Sequence, residues 1–111
     1  MNISTETREG RSIVSLREER LDSSNSGELR NIILGLLTAE GQRLIMDLSA
    51  VRFIDSSGLG TLLNSSKDAH QRSGSIVLAG LQPRVQSMLE LTRLNVIFDI
   101  FPTLEDALAK G

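Results

Sequence analysis

No cysteine occurs in the 111 residues and histidine occurs once, as His70. Those two absences remove disulfides, thiolate nucleophiles, iron–sulfur clusters and zinc sites built from Cys and His, and they fit a reducing compartment. No metal site and no cofactor are therefore expected. Aromatic residues are scarce too: three Phe and neither Trp nor Tyr. Base-stacking platforms and large aromatic interface anchors are thus largely missing, and the core has to be built from Leu, Ile and Val. Charge of one sign is not in excess, since 12 Lys and Arg face 14 Asp and Glu for a formal net charge of -2. With the basic residues scattered, no stripe suited to a phosphate backbone forms, so nucleic acid is not an expected partner. No run approaches the about 20 apolar residues of a membrane span, and Met1–Thr7 lacks a basic segment followed by an apolar one. A cytoplasmic protein without direct membrane insertion is expected, organised as one domain over residues 1–111.

The organising stretch is Phe53-Ile54-Asp55-Ser56-Ser57-Gly58-Leu59-Gly60, where an apolar strand-like run breaks into hydroxyls and glycines and resumes as a helix. Asp55, Ser56 and Ser57 are all good N-cap types, and Leu59, Leu62 and Leu63 follow at helical spacing. Two hydroxyls thus lie beside the first free N–H groups of a helix.

Around this elbow the pattern is α/β. Ile3–Arg8 and Ser12–Leu16 flank a Glu9-Gly10 turn and read as a hairpin. The polar linker Arg20–Gly27 ends in a capping-box-like pair, Asn25 and Glu28, ahead of an amphipathic helix closed by Gly41. Leu44–Leu48 is apolar at consecutive positions, as in a strand covered on both faces. The elbow helix runs from about Ser57 to Arg72, with Gly74 as its C-cap and Leu59, Leu62, Leu63, Ser66 and Ala69 inward. Ser75–Gly80 reads as a second buried strand, Pro83 as the first turn of the next helix, and Val96–Ile100 as a short edge strand. Thr103 and Asp106 make a capping box for a terminal helix. The order β-β-α-β-α-β-α-β-α predicts a mainly parallel mixed sheet of about five strands with about four helices.

Catalysis at the elbow finds no support. His70 lies 13 residues beyond Ser57 on one helix, roughly 20 Å away at 1.5 Å per residue, too far for a triad. Asp55-Ser56-Ser57-Gly58 is not a G-x-S-x-G elbow, and neither phosphate-binding glycine motif is present. Asp22, Asp47 and Asp55 can approach one another at strand ends, but no spacing rule makes them an acid/base pair. Gly58 and Gly60 are read as steric, permitting the turn and close helix packing, and His70 as solvent-exposed. One N-cap needs one hydroxyl, so the second is a candidate phosphoacceptor: a phosphoryl group carries about -1.5 to -2 charge and is favoured by free N–H groups and the helix dipole.

Val51-Arg52-Phe53-Ile54-Asp55-Ser56-Ser57-Gly58-Leu59-Gly60 resembles the signature of the STAS domain family, specifically its bacterial anti-sigma factor antagonists. Arg20-Leu21-Asp22-Ser23-Ser24-Asn25 resembles the loop before the family's first helix, and Leu91-Thr92-Arg93-Leu94 with Leu104–Leu108 resembles its C-terminal end. The resemblance implies that Ser57, the second serine of the motif, is phosphorylated by a partner that is both anti-sigma factor and serine kinase, with Ser56 as second choice. It implies that the unphosphorylated protein binds that partner and releases a sigma factor, and that a serine phosphatase restores it. It places Asp22 beside the phosphoacceptor and makes Asp22, Asp55, Ser56, Ser57, Gly58, Leu59 and Gly60 the partner-binding set on a protein that is a monomer alone and not an enzyme. Glu19 and Arg93 stand where the family often has glycine, a departure that bears on local turns rather than on function. The same fold also serves as an interaction subunit of membrane lipid-transport complexes or of switches with a non-sigma target, the alternative reading.

Overall fold

The computed structural model describes residues 1–110. Its first hairpin is the expected one: β1 (Ile3–Arg8) pairs antiparallel with β2 (Arg11–Leu16). Glu9 and Gly10 both take positive φ, 54° and 76°, the backbone twist that joins two antiparallel strands through two residues. From β2 the sheet continues in parallel through β4 (Arg43–Asp47), β6 (Ser75–Ala79) and β7 (Ile100–Phe101), in the order β1-β2-β4-β6-β7.

The consecutive apolar runs reflect cover on both faces. Val14, Leu44, Met46, Ile76 and Leu78 point into the larger core, which also holds Leu29 and Ile33 of α1 (Ser26–Leu36), Leu59 and Leu62 of α2 (Ser56–Gln71), and Val85 and Leu89 of α3 (Pro83–Leu91). Their neighbours Ile13, Ile45, Val77 and Ala79 point the other way, onto Ala107 of α4 (Leu104–Lys110). Arg11 locks that second layer by donating from its guanidinium to the carbonyls of Ala107 and Leu108, where the C-terminal half of the helix dipole is negative.

Four local expectations change. The linker contains a short strand, β3 (Arg20–Leu21), which pairs in parallel with β5 (Phe53–Ile54) as a separate two-stranded sheet. Asn25 forms no capping box with Glu28; its side-chain oxygen accepts from the Asp22 N–H at 2.9 Å and its amide donates to the Arg20 carbonyl at 2.8 Å, so the residue folds the loop instead of capping α1. Gly41 does not close α1, which ends at Leu36; at φ 72° it forms the turn into β4. Of the expected strand Val96–Ile100, Val96 ends a 3-10 turn over Leu94–Val96, residues 97–99 are turn and coil, and only Ile100 enters β7.

At the end of α2, the left-handed position expected of Gly74 as C-cap falls on Ser73 instead. Ser73 carries the left-handed conformation at φ 58° and donates to the His70 carbonyl, while the Gly74 N–H reaches back to Ala69 at 2.9 Å. This is the paired 6→1 and 5→2 closure of a Schellman motif. Glycine is needed at 74 for a different reason: a Cβ there would overlap the Gln42 carbonyl oxygen. Arg93, where the family often has glycine, also takes the left-handed conformation at φ 61°, starting the 3-10 turn.

Candidate functional site

The elbow is positioned by the small second sheet. Arg20 sits opposite Phe53 and Leu21 opposite Ile54, and the Asp55 N–H donates to the Leu21 carbonyl at 3.3 Å. The Glu19 carbonyl accepts from both Arg52 and Phe53 N–H groups, at 2.8 and 3.1 Å. These bonds bring the loop before α1 and the start of α2 side by side, so Asp22 and Asp55 line one cavity of about 280 Å³ with Arg20, Leu21, Phe53 and Ile54. The expected neighbourhood of Asp22 and the elbow is thereby formed; Asp47 lies elsewhere, accepting from the Ser49 N–H at 3.0 Å and from the Ser15 hydroxyl at 3.4 Å.

Asp55 is the N-cap of α2. Its backbone is extended (φ -110°, ψ -173°), and its Oδ1 accepts from the Gly58 N–H at 2.9 Å. The cap needs no hydroxyl, so Ser56 and Ser57, the first two helical residues, keep theirs. Their own N–H groups likewise have no acceptor among the described residues, since they precede the first intrahelical bond, while Gly58 N–H is taken by the cap and Leu59 N–H by the Asp55 carbonyl. The helix start therefore offers two hydroxyls and two unspent backbone donors in an electropositive setting. Ser56 is exposed and Ser57 half-buried, so exposure alone would rank Ser56 first; the motif resemblance is what singles out Ser57.

Gly58 is the point of closest approach between loop and helix. A Cβ on it would sit 2.5 Å from the Leu21 carbonyl oxygen and 2.7 Å from Ile54 Cγ1. Gly60 differs, with nothing within 4 Å of such an atom, which corrects the expectation that both glycines serve packing. Leu59 is buried in the core, so of the proposed partner-binding set it supports the surface from beneath.

Asp22 is held by its own loop: the Ser24 hydroxyl and N–H both donate to Oδ1, at 2.6 and 3.0 Å. These bonds, assisted by the nearby Arg20 charge, keep its carboxyl below the usual carboxylate range. Two contacts fasten the rest of α2 to α1. Thr61 donates its hydroxyl to the Ser26 carbonyl at 3.1 Å, and Arg30 grips Asp68 through two guanidinium nitrogens, at 3.1 and 3.2 Å. His70 is exposed as expected. Among the described residues no group of His, Cys, Asp and Glu is arranged to hold a metal ion, and no helix is long and apolar enough to cross a membrane.

Sequence reasoning missed the clustering of Arg20, Arg52 and Arg84 around Phe53. The Arg20 and Arg84 guanidinium carbons lie 4.6 and 4.8 Å from the ring centre, and Arg52 pairs with Glu19 at 3.5 Å. Residues 20 and 84 are remote in sequence, and only the unforeseen β3–β5 pairing and the placement of α3 bring them together.

A mixed sheet flanked by four helices, with a capped elbow set against the loop before its first helix, defines the class: the chain belongs to the STAS domain family, whose model matches residues 2–107. It is 31% identical over 80 residues to the anti-sigma-B factor antagonist of Listeria monocytogenes, covering 72% of this chain and 70% of that protein. The anti-sigma F factor antagonist of Paenibacillus polymyxa is 26% identical over 112 residues, covering 99% of this chain and 96% of the other. Among solved structures, an anti-sigma factor antagonist from Mycobacterium paratuberculosis superposes with a TM-score of 0.86 at 29% identity, covering 97% of this chain and 91% of that one.

Proposed function

We propose that this protein is an anti-sigma factor antagonist that binds an anti-sigma factor with serine kinase activity while unphosphorylated, and so frees a sigma factor. Phosphorylation of Ser57 ends the binding and a serine phosphatase restores it. The protein is a monomer when alone, works in the cytoplasm, and is the substrate of chemistry rather than its catalyst.

The observation that supports this reading most directly is the division of roles at the elbow. Asp55 caps α2 through Gly58, so Ser57 is not needed to hold the helix start. A phosphoryl group placed there meets free N–H groups and the positive end of the helix dipole, so the modified domain stays folded. A partner surface packed over the same point must instead desolvate a dianion. A loss of about 2.7 kcal/mol weakens such a complex a hundredfold. The named relatives, one of them matched along nearly the whole chain, supply the partner class.

The test pairs phosphate incorporation with binding. With the cognate kinase, Ser57→Ala loses phosphorylation and keeps binding, Ser56→Ala keeps both, and Ser57→Asp weakens binding. Stoichiometric phosphorylation of Ser57→Ala moves the site to Ser56. A stable complex with a transport ATPase, indifferent to kinase and phosphatase, replaces this function with that of a constitutive interaction subunit.

A further inference from the structure

Phe53 is one of three aromatic residues in the chain and carries two guanidinium groups. Arg20 reaches the ring because it is the register partner of Phe53 in the β3–β5 pair. Arg84 reaches it from the first turn of α3, whose start is fixed by Pro83 and by the Gln82 side chain donating to the Ser49 carbonyl at 2.7 Å. Three separate segments thus converge on one ring.

Stacking holds a guanidinium by its face and leaves its in-plane N–H donors pointing outward. Those donors are unspent. No carboxylate lies within ion-pair distance of Arg20 or Arg84 among the described residues, and neither side chain donates a hydrogen bond there. The acidic groups nearby are engaged: Asp22 by Ser24, Asp55 by the Gly58 N–H, Glu19 by Arg52. Two guanidinium forks, each held over the Phe53 ring and matched to carboxylate geometry, are therefore exposed beside the elbow.

The shape points to a protein ligand. Phe53 forms a ridge between the cavity shared by Asp22 and Asp55 and a second of about 250 Å³ lined by Arg52, Phe53, Gln82, Pro83 and Arg84. Each falls below the roughly 300–1,000 Å³ of a small-molecule pocket. A segment laid across the ridge can meet both forks. We propose that Arg20 and Arg84, pre-oriented on Phe53, are the docking point for an acidic segment of the partner that covers the elbow, its carboxylates received by the two guanidinium groups. The inference relies on the proposed function only for the identity of that partner.

Two arms test it separately. In the first, an acetylated hexaglutamate peptide and inorganic phosphate, at matched ionic strength, are titrated into the 15N-labelled protein while arginine Nε–H signals are followed. The peptide is expected to shift Arg20 and Arg84 saturably and the remote Arg8 and Arg17 little, and Phe53→Leu, which keeps every charge, to reduce the response at least threefold. Equal shifts at all arginines, or saturation by phosphate but not by peptide, overturns the proposal. In the second arm, Arg84→Glu lowers the association rate with the anti-sigma factor about tenfold at low salt and flattens its salt dependence, while Arg84→Lys recovers the rate only in part. Unchanged binding by Arg84→Glu also overturns it. If the wild-type protein binds no anti-sigma factor, the proposed function fails and the peptide arm still decides whether the docking point exists.

Discussion

Gly58 and Gly60 lie two residues apart in the first turns of one helix, and the structure assigns them opposite responses to the same substitution. Gly58→Ala gains about 1 kcal/mol of helix propensity. Against that stands a methyl group 2.5 Å from a backbone carbonyl oxygen and 2.7 Å from the branch of Ile54, neither of which is the free end of a flexible side chain. Relief requires moving Leu21, and overpacking of this kind costs about 1–3 kcal/mol. With backbone among the contacts, the upper part of that range applies and the net change is a destabilisation of about 1–2 kcal/mol. Gly60→Ala meets open space and keeps the propensity gain, a stabilisation of about 0.5–1 kcal/mol. Urea unfolding of the two variants should therefore bracket the wild type by about 1.5–3 kcal/mol in total, with an unchanged slope, and thermal midpoints should separate by roughly 4 °C per kcal/mol. Because the clash bears on Leu21, Gly58→Ala should also disturb the Asp22 loop and partner binding. Equal stability of both variants would refute the steric account of Gly58.

Three further outcomes are expected. Ser65 is fully buried on α2 and its hydroxyl has no hydrogen-bond partner among the described residues, so Ser65→Ala should stabilise the protein by about 1 kcal/mol in urea unfolding. Removing the two-nitrogen grip of Arg30 on Asp68 with Arg30→Ala should lower the urea midpoint slightly at low salt and less at 1 M salt, as expected of an exposed arginine whose attraction is screened. The Asp22 carboxyl titrates below its ordinary value, so its contribution to loop order is fully present above the unfolded value near 4 and is lost as pH falls through the folded value; Ser24→Ala should move its carbon-13 titration midpoint upward.

The elements most legible in the sequence were those governed by local chemistry or simple periodicity. Glu9-Gly10 marked the hairpin, consecutive apolar positions at 44–48 and 75–80 marked strands covered on both faces, and Thr103 with Asp106 marked the start of α4, where the Asp106 N–H does donate to the Thr103 hydroxyl at 3.1 Å. Positions whose roles depend on distant partners were not legible. Asn25 looks like a cap until its amide finds Arg20, and Gly74 looks like a left-handed terminus until the approach of Gln42 is seen. Val96–Ile100 has strand composition, yet the left-handed Arg93 turns the chain first and leaves Val96 and Ile97 exposed. At the elbow, the cap types were evident but the choice among Asp55, Ser56 and Ser57 was not, because all three have oxygens able to reach the same N–H groups. The arginine cluster left no local trace at all.

The second sheet contains only two residue pairs, Arg20 with Phe53 and Leu21 with Ile54, and shares no strand with the five-stranded sheet. The elbow's backbone is thereby paired apart from the large sheet, while Leu21 and Ile54 tie it to the same core. Segments 20–25 and 52–57 thus vary as a pair, with Leu21 required to fit beneath Gly58. A designer wishing to alter this face would therefore rewrite the exposed positions of the two segments and keep Leu21, which is fully buried, and Ile54, which packs on the core.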